Sequence, residues 1–343
     1  MSFQRFAFIG LLAITIGSMG CQEDFILEAS LPEPEPALVV NGIFQPDSLI
    51  EVYVNTNAPL IGSNKPQAVT NARVAVLADG EVLEVLPYKD LFWLNGGFIL
   101  TPLPTDSPGN NESNRLVARY KSKTFRPVAG QTYSVEVSAE GYETVTGTDH
   151  IPAPVAIQEA VYTPQTASDE LGVRGEIRIV FDDPAGEDNY YNLRHHYRTI
   201  DTLTTFIIST TSGFELVSNL QDDLFGADPD DLIGDNNPSQ IQDDGITFSD
   251  AFFDGERKEI VIEVADDICG ASTNSPPELQ CQQVIEFSTV TQSFHDYHRT
   301  LKLQNESLQN PFAEAVRIKT NMSNNIGVFA GMHPAIWIHV QER

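Results

Sequence analysis

Short apolar runs alternate with turn-forming clusters along most of this chain, and helical periodicity is nearly absent. Leu38-Val-Val40 and Ile50-Glu-Val-Tyr-Val54 are β-branched runs that bracket Gln45-Pro-Asp-Ser48, a turn composition. Arg73-Val-Ala-Val-Leu77 and Glu81-Val-Leu-Glu-Val85 flank Ala78-Asp-Gly80, which predicts a tight hairpin. Residues 98–100, 128–137 and 143–148 read as further strands, with 104–114 as a long polar loop. Strands this short and this closely spaced predict a β-sandwich over 37–150.

Ile151-Pro-Ala-Pro-Val155 reads as a linker into a second β-rich domain, 156–343. Strands are expected there at 175–181, 189–194, 204–210, 259–264 and 283–289, and a last strand or pair at 327–331 and 335–340. One helix is expected, 294–308, because Phe294, Tyr297, Leu301 and Leu308 fall on one face and Asn310-Pro-Phe312 then ends it. The fold class is therefore mainly β, an N-terminal sandwich followed by a second β-rich domain with one short helix. No repeat of 20–50 residues is visible.

The first residues follow another pattern. Arg5 is the only charge before Glu23, and Phe6-Ala-Phe-Ile-Gly-Leu-Leu-Ala-Ile-Thr-Ile16 is apolar but short of the ~20 residues a spanning helix needs. A basic start, a short apolar run and the small residues Gly17-Ser-Met-Gly20 predict a signal peptide over 1–20. Cys21 follows at once, which resembles the lipobox of bacterial lipoproteins, although Ser18 stands where leucine is usual. The resemblance implies lipidation of Cys21 as the mature N-terminus, and several acyl chains at one terminus give stable anchoring. Residues 21–36 are an acidic, proline-spaced leader, and Leu31-Pro-Glu-Pro-Glu-Pro36 suits an extended, solvated spacer.

Charge narrows the partners. The formal net charge is −28, from 48 acidic and 20 basic residues. Such a surface repels phosphates, which disfavours nucleic acid and anionic lipid surfaces. Hydrophobic residues make up 41% of the chain, enough for real cores.

The three cysteines are an odd count. With Cys21 acylated, Cys269 and Cys281 remain as an expected disulfide across a loop-forming segment in a compartment that permits one. Two free thiols or a metal pair are the alternatives; a C-x-x-C or nearby histidine spacing would have favoured metal, and neither is present.

Between Arg198 and Arg257 there is no lysine or arginine, while Asp222, Asp223, Asp228, Asp230, Asp231, Asp235, Asp243 and Asp244 crowd together. A solvated loop is the preferred reading of this run; a bound Ca2+ relieving the carboxylate repulsion is the alternative. The spacing is not that of an EF-hand, since Leu232 and Gly234 depart from it. Asp183-Pro-Ala-Gly-Glu-Asp188 reads as a structural turn that could also ligate an ion. His295 and His298 share a helical side without a nameable third ligand and read as surface histidines. His195 and His196 alternate across a strand and cannot act together. Trp93, Trp337, Tyr190, Tyr191 and Phe252-Phe253 are a possible aromatic platform, but most are expected in the core. No nucleophile elbow, P-loop or dinucleotide fingerprint occurs.

Several phrases carry family resemblances. Ala129-Gly-Gln-Thr-Tyr-Ser-Val-Glu-Val-Ser-Ala-Glu-Gly-Tyr142 is similar to the end of carboxypeptidase-regulatory-type modules, which implies an Ig-like or transthyretin-like sandwich for 37–150. Phe181-Asp-Asp-Pro-Ala-Gly-Glu-Asp-Asn-Tyr-Tyr191, Phe248-Ser-Asp-Ala-Phe-Phe-Asp-Gly255, Gln309-Asn-Pro-Phe-Ala-Glu-Ala-Val316 and Asn325-Ile-Gly-Val-Phe-Ala-Gly331 occur in that order. With the opening Leu31-Pro-Glu-Pro-Glu-Pro-Ala-Leu-Val-Val-Asn-Gly42, they resemble a Bacteroidota lipoprotein family catalogued as a domain of unknown function. Its members tend to be encoded beside TonB-dependent transporters. Gln22-Glu23-Asp24-Phe25 resembles the acidic export signal of surface lipoproteins in that phylum, and Asp47-Ser48-Leu49 and Asp201-Thr202-Leu203 resemble its O-glycosylation motif, at Ser48 and Thr202.

Together these readings lead to the expectation of a lipid-anchored, surface-exposed outer-membrane protein that acts without catalysis beside a TonB-dependent transporter. The alternatives are an envelope hydrolase with a carboxylate site near 222–244, and a glycan-binding or adhesin module.

Overall fold

The computed structural model describes residues 36–57, 66–94, 115–169, 172–205, 207–212, 215–216, 245–265, 279–307, 314 and 316–340. In chain order the strands are β1 (Leu38–Phe44), β2 (Glu51–Thr56), β3 (Arg73–Ala78), β4 (Glu81–Leu86), β5 (Tyr88–Leu94), β6 (Arg115–Lys121), β7 (Thr132–Ser138) and β8 (Val145–His150). They continue with β9 (Ile157–Asp169), β10 (Gly172–Asp182), β11 (Tyr190–Asp201), β12 (Ile207–Ser212), β13 (Glu215–Leu216), β14 (Ile246–Ser249), β15 (Arg257–Ala265) and β16 (Leu279–Val290). Helix α1 (Gln292–Ser307) and strand β17 (Gly327–Val340) close the order.

The long strand β17 is the seam. Its first half pairs in parallel with β1, from Val40↔Gly327 to Phe44↔Gly331, and its second half pairs antiparallel with β16, from Val290↔Met332 to Gln282↔Val340. The result is one nine-stranded sheet in the order β12-β11-β16-β17-β1-β2-β6-β5, with β14 also paired to β11. The two stretches read from sequence as a last strand or pair are one strand, because Pro334 leaves the ladder intact where it sits opposite Ser288.

Two four-stranded sheets, β4-β3-β7-β8 and β13-β15-β10-β9, accompany the nine-stranded one among the described residues. Val74, Val76, Val135, Val137 and Val145 of the first pack with Val40, Phe44, Val52, Val54, Tyr120 and Phe329 of the large sheet in one buried core. Ile177, Ile179, Phe181, Ile260 and Ile262 of the second pack with Tyr191, Leu193, Ile285 and Phe287 in another. Phe329 and Trp337 are both odd-numbered positions of β17, so the two small sheets meet the same face of the large one. The molecule is mainly β and sandwich-like. The halves expected as successive domains at 37–150 and 156–343 share this sheet, and residues from Pro36 on form one compact unit.

Alternation explains the sandwich strands. In β8 the residues Val145, Gly147 and Asp149 are buried and their neighbours exposed. At the seam close packing dictates residue size. A side chain at Gly331 would lie inside the van der Waals shell of the His150 carbonyl, and Gly327, at φ +93°, approaches the Val40 carbonyl in the same way.

The helix begins two residues before its expected start. Thr291 caps it, its carbonyl accepting the His295 N–H at 3.0 Å. Phe294, Tyr297 and Leu301 pack as the periodicity predicts, onto Val290, Val328, Ala330, Met332 and Ile43. Val328, Ala330 and Met332 are the even positions of β17, so α1 covers the face opposite the two small sheets.

Candidate functional site

Two loops close on each other at one end of the second sandwich. Strand β10 ends at Asp182 and leads into Asp183-Pro-Ala-Gly-Glu-Asp188, while β14 ends at Ser249 and leads into Asp250-Ala-Phe-Phe-Asp-Gly255. Pairing of Tyr190 with Ser249 brings the two loops together. One oxygen from each of Asp183, Asp250 and Asp254 lies within 4.8 Å of the others, with Asp183 and Asp250 buried.

Each carboxylate is held across the gap. Asp183 accepts the Tyr191 hydroxyl and, at 2.8 Å, the Gly255 N–H. Asp250 accepts the Asn189 backbone N–H at 2.8 Å and its side-chain N–H at 3.0 Å, and Asp254 accepts the Gly186 N–H at 2.7 Å. Phe253, one residue before Asp254, is anchored in the core beside Phe181 and Tyr191. Burial pushes the Asp183 carboxyl above its ordinary value; the Tyr191 and Gly255 hydrogen bonds oppose this, and Asp250 and Asp254 add to it. The donor set is all carboxylate, the type a hard divalent cation takes. Each of the three carboxylates already accepts a hydrogen bond from the opposing loop, so the arrangement works as a clasp between the two loops.

A different feature lies on the helix side of the large sheet. Beyond Met332, where α1 stops covering it, the even face of β17 continues as Ile336, Ile338 and Val340, exposed to 60%, 42% and 41%. On the side away from β16, this half of β17 has no strand partner among the described residues. The neighbouring rows carry Glu286 paired with Arg194 at 2.6 Å, and Arg198 donating to Gln282 at 2.7 Å. The exposed apolar row of β17 therefore has a polar and charged margin.

The residues singled out from sequence separate into groups. Cys21, Cys269, Asp222, Asp223, Asp228, Asp230, Asp231, Asp235, Asp243 and Asp244 lie outside the described residues, as do the strand expected at 98–100 and Leu308. Cys281 sits on β16 opposite Thr199. Ser48 is half-buried in its turn and accepts the Gln45 amide at 2.9 Å, whereas Thr202 stands exposed on the β11–β12 hairpin. Tyr191 and Phe253 are core, Tyr190 stacks on His295 at 4.9 Å, and Phe252 is exposed. Trp337 packs half-buried against the second core. Trp93 is on β5.

His195 and His196 point to opposite faces as expected, His195 being buried against Tyr197. His298 departs from expectation. It is not on the helix surface but only 9% exposed, stacked on Phe294 at 4.1 Å. His295, with its side chain 12% exposed against Tyr190, is not on the open helix surface either; the sequence shows two histidines at i, i+3, and how α1 is rolled on the sheet covers both. Asp250 and Asp254 were visible only as parts of a phrase, because nothing local pairs 249 with 190. The Ile336, Ile338 and Val340 alternation was visible as a strand, without a sign of which face solvent would see.

The model of a family described as Domain of unknown function (DUF4249) matches residues 26–335. No curated protein matches the chain.

Proposed function

The chain belongs to that family, and from that premise we propose that it is a lipid-anchored outer-membrane protein, displayed on the cell surface, that works by binding. Its partner in this reading is a TonB-dependent transporter of a Bacteroidota envelope, for which it acts as an accessory or substrate-capture subunit. The acyl groups on Cys21 hold it, residues 22–36 space it, and the transthyretin-like kinship of the first sandwich belongs to the same proposal. A Cys269–Cys281 disulfide would brace the loop before β16, contributing about 2–3 kcal/mol by restricting the unfolded chain.

The observation that carries the reading is the apolar stripe of Ile336, Ile338 and Val340. The chain enters the described body at β1, whose Val40 pairs with Gly327 at the start of β17. Ile336 lies nine residues along that strand, ~30 Å away at the usual strand rise. The stripe is thus presented at the end of the seam remote from the entry point, where it suits a protein partner. The charge of −28 disfavours nucleic acid and anionic lipid as the occupant.

Pull-down of the tagged protein from native membranes tests this. Recovery of a β-barrel transporter with the wild type, and its loss with Ile336→Asp/Ile338→Asp, is the expected result. Recovery of the folded wild type with no barrel partner would overturn it.

A further inference from the structure

We propose that α1 is an acid-released cover: protonation of His298 lifts the helix from the sheet and extends the exposed apolar stripe of β17 back from Ile336 to Val328.

The geometry begins with the shared face. Val328, Ala330 and Met332 lie under α1, and Ile336, Ile338 and Val340 continue the same row uncovered. The helix therefore divides one stripe into a hidden and a visible half. Among its covering side chains Phe294 and Tyr297 are apolar anchors, but His298 is a titratable group placed between them. Its ring stacks on Phe294 at 4.1 Å and meets the Tyr297 ring edge-on at 5.7 Å, and its Nε2 is buried with no hydrogen-bond partner. A neutral imidazole tolerates that setting; an imidazolium needs an acceptor or water that the packing denies it.

The surrounding charges give no relief. From β11, Arg194 faces the site, its guanidinium paired with Glu286 of β16, and Tyr190 contributes a phenol. His196, on the same face of β11, is half-buried near that pair. On α1 itself His295 stacks on Tyr190, and Asp296 is engaged by Lys319 at 3.1 Å, with Arg299 one residue beyond His298. At the start of the helix Asp149 of β8 accepts the Thr291 hydroxyl. The covered residues of β1 and β17 include the buried amide of Asn41 but no titratable group, and β14 carries no titratable side chain. Burial, then Arg194, then His295, push His298 down to about 3.

The sign follows from linkage. In the released helix His298 regains its ordinary value of 6.5, so the open form binds the proton more tightly. Closure is favoured above pH 6.5 and progressively lost as pH falls toward 3. At pH 4.5 the open form gains about a hundredfold over its weight at neutral pH. Release of α1 depends on the helix–sheet packing and not on the partner proposed above.

Hydrogen–deuterium exchange of the detergent-solubilised full-length protein from pH 7 to pH 4, corrected for intrinsic exchange, is the test. The expected result is that amides of 292–307 lose protection tenfold or more by pH 4.5 while β1 and β17 keep theirs. His298→Phe, neutral and still able to stack, should hold helix protection down to the pH at which the whole sheet unfolds. His298→Gln serves the same purpose should the larger ring fail to fold. Bis-ANS fluorescence should rise with acid in the wild type and stay flat in these variants. Loss of protection at the same pH in wild type and variants, or simultaneous loss in α1 and β17, would overturn the proposal.

Discussion

Asp149 accepts a hydrogen bond from the Thr291 hydroxyl at 2.6 Å, joining the last strand of the first sandwich to the cap of the helix on the opposite face of the large sheet. Asp149 also accepts the His150 N–H at 2.9 Å, and burial raises its carboxyl above the ordinary value. Thr291→Ala removes both the capping hydroxyl, which accepts the Phe294 N–H at 3.4 Å, and a partner of a buried carboxylate. The expected loss is about 1–3 kcal/mol, read from urea denaturation, with Thr291→Ser restoring most of it.

Gly331 sits where β17 passes the His150 carbonyl, with no room for a methyl group. The obstacle is backbone, so no rotamer change relieves it. Gly331→Ala is expected to cost about 3 kcal/mol in thermal or chemical unfolding. Gly186→Ala, at an open turn where a Cβ meets nothing within 4 Å, is expected to cost less, through its φ of +83° alone.

Glu84 ties the edge strand β4 to the turn after β6, accepting the Ser122 hydroxyl at 2.7 Å, the Lys123 N–H at 2.7 Å and the Phe125 N–H at 3.0 Å. Partial burial pushes its carboxyl up, but the Lys123, Ser122 and Phe125 donors outweigh this and hold it below the ordinary glutamate value. A depressed folded value means the stabilisation is present above the unfolded pKa and is lost as pH falls through the folded one. Glu84→Gln should therefore be less stable than wild type by about 1–2 kcal/mol at pH 7. The two unfolding curves should converge below about pH 4, the range in which free glutamate titrates.

Thr202 and Ser48 share a local motif but not an environment. Asp201 accepts the N–H groups of Leu203 and Thr204 at 2.8 and 3.1 Å, which leaves Thr202 and the 78%-exposed Leu203 on the hairpin tip. Peptide mass analysis of protein from its native envelope should find hexose-scale additions on Thr202 ahead of Ser48. Unmodified Thr202 in such material would remove the glycosylation reading.

Cys21→Ser tests the anchor directly. Membrane fractionation should show the variant leaving the membrane pellet, since multiple acyl chains are what hold the protein there in this reading.

Much of the architecture is legible in local pattern, because a strand half-buried in a sandwich writes its burial into alternate residues. Val74, Val76, Val135 and Val137 are core at the positions the alternation marks. The helix face of Phe294, Tyr297 and Leu301 follows equally from a 3.6-residue period. The anchor reading at Cys21 and the acidic balance are likewise properties of order and composition. Pairing between distant strands leaves no such mark. That Gly327–Gly331 joins β1, that Tyr190 meets Ser249 and so builds the Asp183–Asp250–Asp254 clasp, and that both small sheets share one face are decided by register between strands far apart in the chain. His295 and His298 make the point most sharply. Sequence places them three residues apart on one helix, and only the roll of α1 against β11 and β17 buries the second beside Arg194 while the first rests on Tyr190.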